Sequence, residues 1–214
     1  AKLLAMLDDS DRMVRRKACE ALVRAGQEAP LERLTPLLTS DDRFESWAAR
    51  RALERSDLSG WRDAILTTDD HRLFIQGALA LLIADPTQDN ALDVLARVSQ
   101  LMSDFVTDRD FIDMLRVTQV AIAQGQLEPK DLVPLRDQLA EEFPAGNETM
   151  NRELIRLLAF LNASDIIERY LAYVESEAPK PERVHVAMHL RYLTVGWQTD
   201  QKLRLLEFLA DARQ

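Results

Sequence analysis

The sequence is poor in cysteine, histidine and glycine. Its 214 residues include one cysteine, Cys19, three histidines and six glycines. A single cysteine excludes an internal disulfide and any metal site built from several cysteines. The glycines are scattered and form no phosphate-binding loop. No recognisable nucleophile motif surrounds a serine or Cys19, so we predict no catalytic, cofactor-binding or metal site in this chain.

Aromatic residues are also scarce, at 6% of the chain. Together with the few glycines, this counts against a β-sandwich or barrel, which needs aromatic strands and tight turns. The chain is 47% hydrophobic and 29% charged, which is enough apolar material for a sizeable core and argues against disorder. Helix is therefore the expected state.

Long hydrophobic runs are absent. The longest uncharged apolar stretch, Leu73–Ala84, falls short of the roughly 20 residues that a membrane span requires. We therefore predict no membrane insertion by this segment. The chain opens on Ala1 without an initiator methionine and within an apolar helical pattern, so we expect it to be a piece of a longer protein.

Basic residues are fewer than acidic residues, and the formal net charge is −9. A nucleic-acid binder needs a basic surface that displaces counterions, so nucleic acid is not an expected partner. Two basic pairs, Arg15-Arg16 and Arg50-Arg51, are the main exceptions. Because acidic residues such as Glu45 and Glu54 lie close by, we predict that these arginines form salt bridges.

An internal repeat is present in the first 85 residues. A shift of 31 residues, followed by one of 28, superposes acidic residues that precede small and large apolar residues at helical spacing. The aligned sets are Asp11, Asp42 and Asp70; Ala18, Ala49 and Gly77; and Leu22, Leu53 and Leu81. The pattern predicts N-capped helices whose small residues admit a close neighbour. A packing contact would explain why Gly77 is tolerated within a helix.

Second helices are predicted between these first helices, and further pairs follow. The predicted ranges are 30–38, 58–67, 90–103, 109–124, 131–142, 149–162, 164–176, 181–195 and 199–212. Two antiparallel helices about every 30 residues are typical of an α-solenoid. We therefore predict an all-α solenoid of about six antiparallel helix pairs. Residues 1–214 would form a single domain, more regular over 1–85 and divergent over 86–214.

The first repeats carry the residues of a known pattern, in which an Asp-rich turn precedes V-R-x-x-A-x-x-A-L. Val14, Arg15, Ala18, Ala21 and Leu22 match it. The region resembles HEAT repeats of the short type. The second repeat departs from the pattern, since Glu45 and Ser46 replace Val-Arg.

Histidine offers one candidate for metal chemistry. His185 and His189 are four residues apart on a predicted helix, so both can face the same way. Val186 stands where a zinc protease of the HExxH type needs its general base. Glu182 could add a third ligand, but spacing supplies no fourth. We therefore expect one imidazole to form a hydrogen bond inside the fold and the other to be exposed.

The tryptophans and the cysteine are predicted to be structural. Trp47, Trp61 and Trp197 are expected to pack between helix layers. Cys19 is expected to be a partly exposed thiol without a chemical role.

The C-terminal third carries a second pattern. Asn151-Arg152-Glu153-Leu154 is followed by His185-x-Ala187-x-x-Leu190-Arg191-x-Leu193-x-x-Gly196-Trp197. It resembles a helical region of large planctomycete-type proteins that join a dehydrogenase-like β-propeller, HEAT-like repeats and a c-type cytochrome domain. The resemblance implies an exported or periplasmic scaffold, with haem c held in a separate domain. Asn151 would act as a helix N-cap and Trp197 as a cap over the final pair.

We therefore predict a non-catalytic helical-repeat scaffold or protein-interaction module within a multidomain, cytochrome-associated protein. Its partners would be neighbouring domains of the same chain or another protein. A bilin-lyase-like protein that handles a tetrapyrrole is the alternative, and it requires a polar pocket fitted to that ligand. A HEAT-like DNA-repair protein is a weaker alternative, and it requires a continuous basic stripe.

Overall fold

A computed structural model describes residues 2–212, and within this range the regular structure is entirely helical. The chain divides between Gln126 and Leu127 into two compact units, unit 1 before this boundary and unit 2 after it. The all-α, HEAT-like fold class is confirmed, with six helix pairs and one further helix in the described range. That residues 1–214 form a single domain stays a prediction.

Unit 1 contains eight helices among its described residues. They are α1 (Lys2–Ala5), α2 (Arg12–Ala25), α3 (Leu31–Leu38), α4 (Arg43–Leu53), α5 (Arg62–Thr67), α6 (His71–Ala84), α7 (Gln88–Leu101) and α8 (Asp108–Gly125). Helices α3, α5 and α7 each pack against the helix that follows. In addition, α2, α4, α6 and α8 pack side by side in that order. This arrangement is one layer of first helices backed by second helices, as the repeat predicts.

Unit 2 repeats the arrangement over a shorter length. Its helices are α9 (Val133–Glu141), α10 (Glu148–Phe160), α11 (Ile167–Glu175), α12 (Lys180–Leu190) and α13 (Thr199–Asp211). Helix α9 packs against α10, α11 against α12, and α10 against α12. The final predicted pair is shorter than expected, because α12 ends at Leu190 rather than at 195.

The acidic residues aligned by the repeat are helix N-caps. The Asp11 carboxylate accepts a hydrogen bond from the Met13 N–H, and the Asp42 carboxylate accepts from Phe44 and Glu45. Asp70 does the same for Leu73. Each satisfies backbone donors that have no partner within the helix. Asn151 is a correction: the N-cap of α10 is Asn147, whereas the buried Asn151 side chain bonds both backbone groups of Ala145.

The small residues of the repeat are buried between helices. Ala18, Ala49 and Gly77 all lie in the core. A Cβ placed on Gly77 would lie 2.3 Å from Ile65 Cδ1, on the neighbouring α5. The predicted packing reason for Gly77 is therefore confirmed, since any side chain there would collide with Ile65.

Candidate interaction surface

The most distinctive surface of unit 1 lies on α2 and α4. A cleft of about 420 Å³ is lined by Arg16, Arg43, Phe44 and Trp47. A second depression of about 410 Å³ shares Arg16 and Trp47 with it. The two are therefore continuous, and we call them together the α2–α4 cleft. Its further lining residues are Lys17, Glu20, Val23, Arg24, Ala48 and Arg51.

A partly buried ion pair joins the two helices that form the cleft. Arg15 Nε on α2 donates to Glu45 Oε1 on α4 at 2.6 Å, and the Glu45 side chain is only 3% exposed. The Ser40 hydroxyl donates to the same carboxylate at 2.5 Å. Glu45 stands where the repeat pattern has valine. The structure explains this departure, because the Glu45 carboxylate is the partner of Arg15 in the preceding repeat.

The cleft is basic although the chain is acidic. Its lining includes five basic residues and one acidic residue, Glu20. Glu20 is held by Lys17 at 2.7 Å and by Arg16 at 2.9 Å. These contacts, that with Lys17 first, lower the pKa of Glu20. Within residues 2–212, neither Arg24 nor Arg43 forms an ion pair, so positive charge is left over.

Two aromatic side chains of the α2–α4 cleft are exposed to solvent. Phe44 is 47% exposed and Trp47 is 46% exposed. The guanidinium of Arg43 lies 4.6 Å from the centre of the Phe44 ring, and that of Arg16 lies 5.1 Å from it. Such contacts are favourable cation–π interactions. The prediction that Trp47 packs between layers is wrong, because nearly half of its side chain is exposed at the cleft.

The other structural predictions have mixed outcomes. Trp61 is buried as expected, and Trp197 is half-buried with its indole N–H donating to the Leu193 carbonyl at 2.7 Å. Cys19 is fully buried rather than partly exposed, and this burial raises the pKa of its thiol to about 12. A thiol so protonated is a poor nucleophile.

The predicted salt bridges of the basic pairs are present. Arg15 bonds Glu45, Arg16 bonds Glu20, and Arg50 and Arg51 both contact Glu54. That the chain binds no nucleic acid stays a prediction.

The two histidines lie together in unit 2, on α12. Their ring centres are 4.3 Å apart, and His189 Nδ1 lies 2.8 Å from the His185 carbonyl oxygen. Both side chains are half-buried, so neither is the freely exposed imidazole that was expected. Desolvation, the nearby His189 and Arg156 lower the pKa of His185. Glu182 is engaged by Arg152 on α10 instead of joining the histidines.

The described residues offer neither a metal-binding cluster nor a membrane span. No group of three or more His, Cys, Asp or Glu side chains there could hold a metal ion. No helix of residues 2–212 is both long and apolar enough to span a bilayer.

Sequence reasoning did not identify the α2–α4 cleft. It located Arg15-Arg16 and Trp47 but assigned both to ordinary packing and surface roles. The available signal was the pairing of Arg16 on α2 with Phe44 and Trp47 on α4 across one repeat length. Only the register of the two helices brings these residues together.

Comparisons with known proteins agree with the repeat pattern at the N-terminus. Searches of curated proteins and of solved structures found no significant match. The link to planctomycete-type cytochrome proteins therefore gains no support from these comparisons. Residues 1–54, which include both helices of the cleft, match the family model of HEAT repeats.

Proposed function

We propose that this chain is a non-catalytic helical-repeat scaffold that binds another protein through the α2–α4 cleft. The observation that carries the proposal is the pair of half-exposed aromatic residues, Phe44 and Trp47, in a cleft lined with arginine. Tryptophan, tyrosine and arginine dominate the binding energy of protein interfaces.

The rigidity of the supporting helices also favours a binding role. The Arg15–Glu45 pair and the N-caps Asp11 and Asp42 hold both helices at the cleft. A site on packed helices loses little conformational freedom when a partner binds, which favours affinity.

A displayed random-peptide library selected on the protein tests this function. We expect enriched peptides whose binding is lost in Trp47→Ala and kept in the matched control Phe105→Ala, since Phe105 is 87% exposed outside the cleft. Failure to enrich any peptide that depends on Trp47 would contradict the proposal.

The wider context of the scaffold is a further part of this proposal. The pattern from His185 to Trp197 supports a place within an exported multidomain protein with a c-type cytochrome domain. The reading frame of the parent gene tests this: a CxxCH motif in the same frame is the expected result, and its absence would contradict the assignment.

A further inference from the structure

We infer that the α2–α4 cleft binds an acidic, extended segment of a partner protein that carries one large apolar side chain. The inference rests on the proposed function and specifies the chemistry of the partner.

The charge of the cleft is the first argument. The lining of the cleft has five basic residues and a single carboxylate, that of Glu20, which Arg16 and Lys17 already engage. Arg51 is paired with Glu54 outside the lining, so Arg24 and Arg43 carry the unpaired charge. The Arg43 guanidinium has no carboxylate partner in the described part of the chain and lies over the ring of Phe44. The cleft thus reverses the sign of a chain whose net charge is −9. Complementarity favours a segment rich in Asp and Glu.

The aromatic side chains are the second argument. Phe44 and Trp47 expose about half of their surface next to these cations. A cleft of about 420 Å³ has room for a large side chain. An apolar anchor flanked by carboxylates would cover both rings and reach the free guanidinium of Arg43. A purely acidic segment would leave the rings in water.

The surroundings favour a short protein segment over a nucleic acid. Asp9 and Asp11 precede α2, while Asp41 and Asp42 precede α4, and most of these carboxylates are exposed. A polynucleotide carries a phosphate on every residue and so needs a continuous basic track. The acidic turns interrupt any such track beside Arg43, whereas a short peptide can remain within the cleft.

Fluorescence anisotropy with three labelled synthetic peptides tests the inference. Each contains one central leucine, flanked by Asp and Glu, by Asn and Gln, or by Lys. Exposed ion pairs contribute little singly, so several together should give the acidic peptide a Kd about tenfold below that of the amide peptide. This difference should shrink as salt is raised to about 1 M, where the Debye length is about 3 Å.

Matched variants localise the site. Arg43→Glu and Trp47→Ala should each weaken the acidic peptide about fivefold or more, whereas Arg116→Glu and Phe105→Ala should not. Arg116 is an exposed arginine on α8, outside the cleft lining. Circular dichroism of each variant confirms that its helices are intact.

The contrary outcomes separate the two proposals. Equal or tighter binding of the amide or lysine peptide would overturn the inference, as would tighter binding of a single-stranded oligonucleotide that Arg43→Glu abolishes. If library selection still yields Trp47-dependent peptides that are neutral or basic, the proposed function stands and only the acidic partner is wrong.

Discussion

The α2–α4 junction of unit 1 and the α10–α12 junction of unit 2 share an interhelical ion pair but differ in the size of the side chains next to it. Both join neighbouring helices by an arginine and a glutamate 30 residues apart in sequence, Arg15–Glu45 and Arg152–Glu182. The glutamate side chain is 3% exposed in the first and 5% exposed in the second. The shared pair indicates that α10 and α12 keep the helix register of the repeat although the sequence pattern has decayed.

The residues that follow each glutamate differ. Three and seven residues after Glu45 stand Ala48 and Ala52, both buried. The corresponding positions after Glu182 hold His185 and His189, both half-buried. Small residues let α2 and α4 approach closely, whereas imidazoles must be accommodated between α10 and α12. The ion pair therefore marks the same register in both junctions, and side-chain size decides how closely the helices pack.

Overpacking a small position of unit 1 should have the largest effect. Gly77→Leu should lower the free energy of unfolding by about 3 kcal/mol, because Ile65 already occupies the space a side chain would need. Urea unfolding measures this change. Gly60→Ala is the control, since its Cβ would have no atom within 4 Å apart from those of its immediate chain neighbours. Equal stability of Gly77→Leu and wild type would show that α5 and α6 do not pack as described.

The difference in helix packing between the two junctions can be tested by exchanging the residues seven positions after each glutamate, Ala52 and His189. Ala52→His should destabilise by about 2 kcal/mol, because a buried alanine is replaced by a larger polar ring. The reverse change, His189→Ala, should cost less than about 1 kcal/mol, because that ring is half-exposed. Thermal and urea unfolding of both variants report the difference. Equal losses in the free energy of unfolding would mean that the α2–α4 and α10–α12 junctions are packed equally closely at these positions.

Neutralising the shared ion pair should have a smaller effect. Glu45→Gln should cost about 1–2 kcal/mol, because an ion pair with Arg15 becomes a hydrogen bond from the arginine cation to an uncharged amide. We expect Glu182→Gln to cost less, since the Arg152 side chain is 47% exposed and water can replace its partner. Denaturant titrations at one pH measure the free energy of unfolding of both variants. A larger loss for Glu182→Gln than for Glu45→Gln would contradict this prediction.

The smallest expected effect is a dependence of stability on pH in unit 2. Burial and the nearby His189 lower the pKa of His185 below its usual 6.5. The folded state therefore binds its proton more weakly than the unfolded state does. The titration of His185 therefore leaves the free energy of unfolding unchanged above about pH 6.5. It lowers this free energy as the pH falls from there through the lowered pKa.

Thermal unfolding of wild type and His185→Asn between pH 7.5 and 5 measures this dependence. The variant should lose less stability over this range than wild type, because carboxylate titration is common to both. Identical slopes would show that His185 does not carry the effect.

The fold class followed from sequence because its causes are local. Asp11, Asp42 and Asp70 cap helices by bonding their own first-turn backbone, and the spacing of Ala18 and Leu22 marks the buried face. The predicted end of α12 at residue 195 is too late, because no local signal in the sequence stops a helix at Leu190. The N-cap of α10 was missed because Asn147 and Asn151 both suit that role, and only packing buries the second.

The sequence by itself determined the helical repeat, its acidic caps and the small residues between helices, because each depends on neighbours within a few turns. Only the tertiary structure decided that Glu45 pairs with Arg15, that Cys19 is buried and that Trp47 remains open beside Arg16 and Phe44. These facts depend on the register between helices about 30 residues apart. That register is set by packing across repeats, which no local pattern specifies.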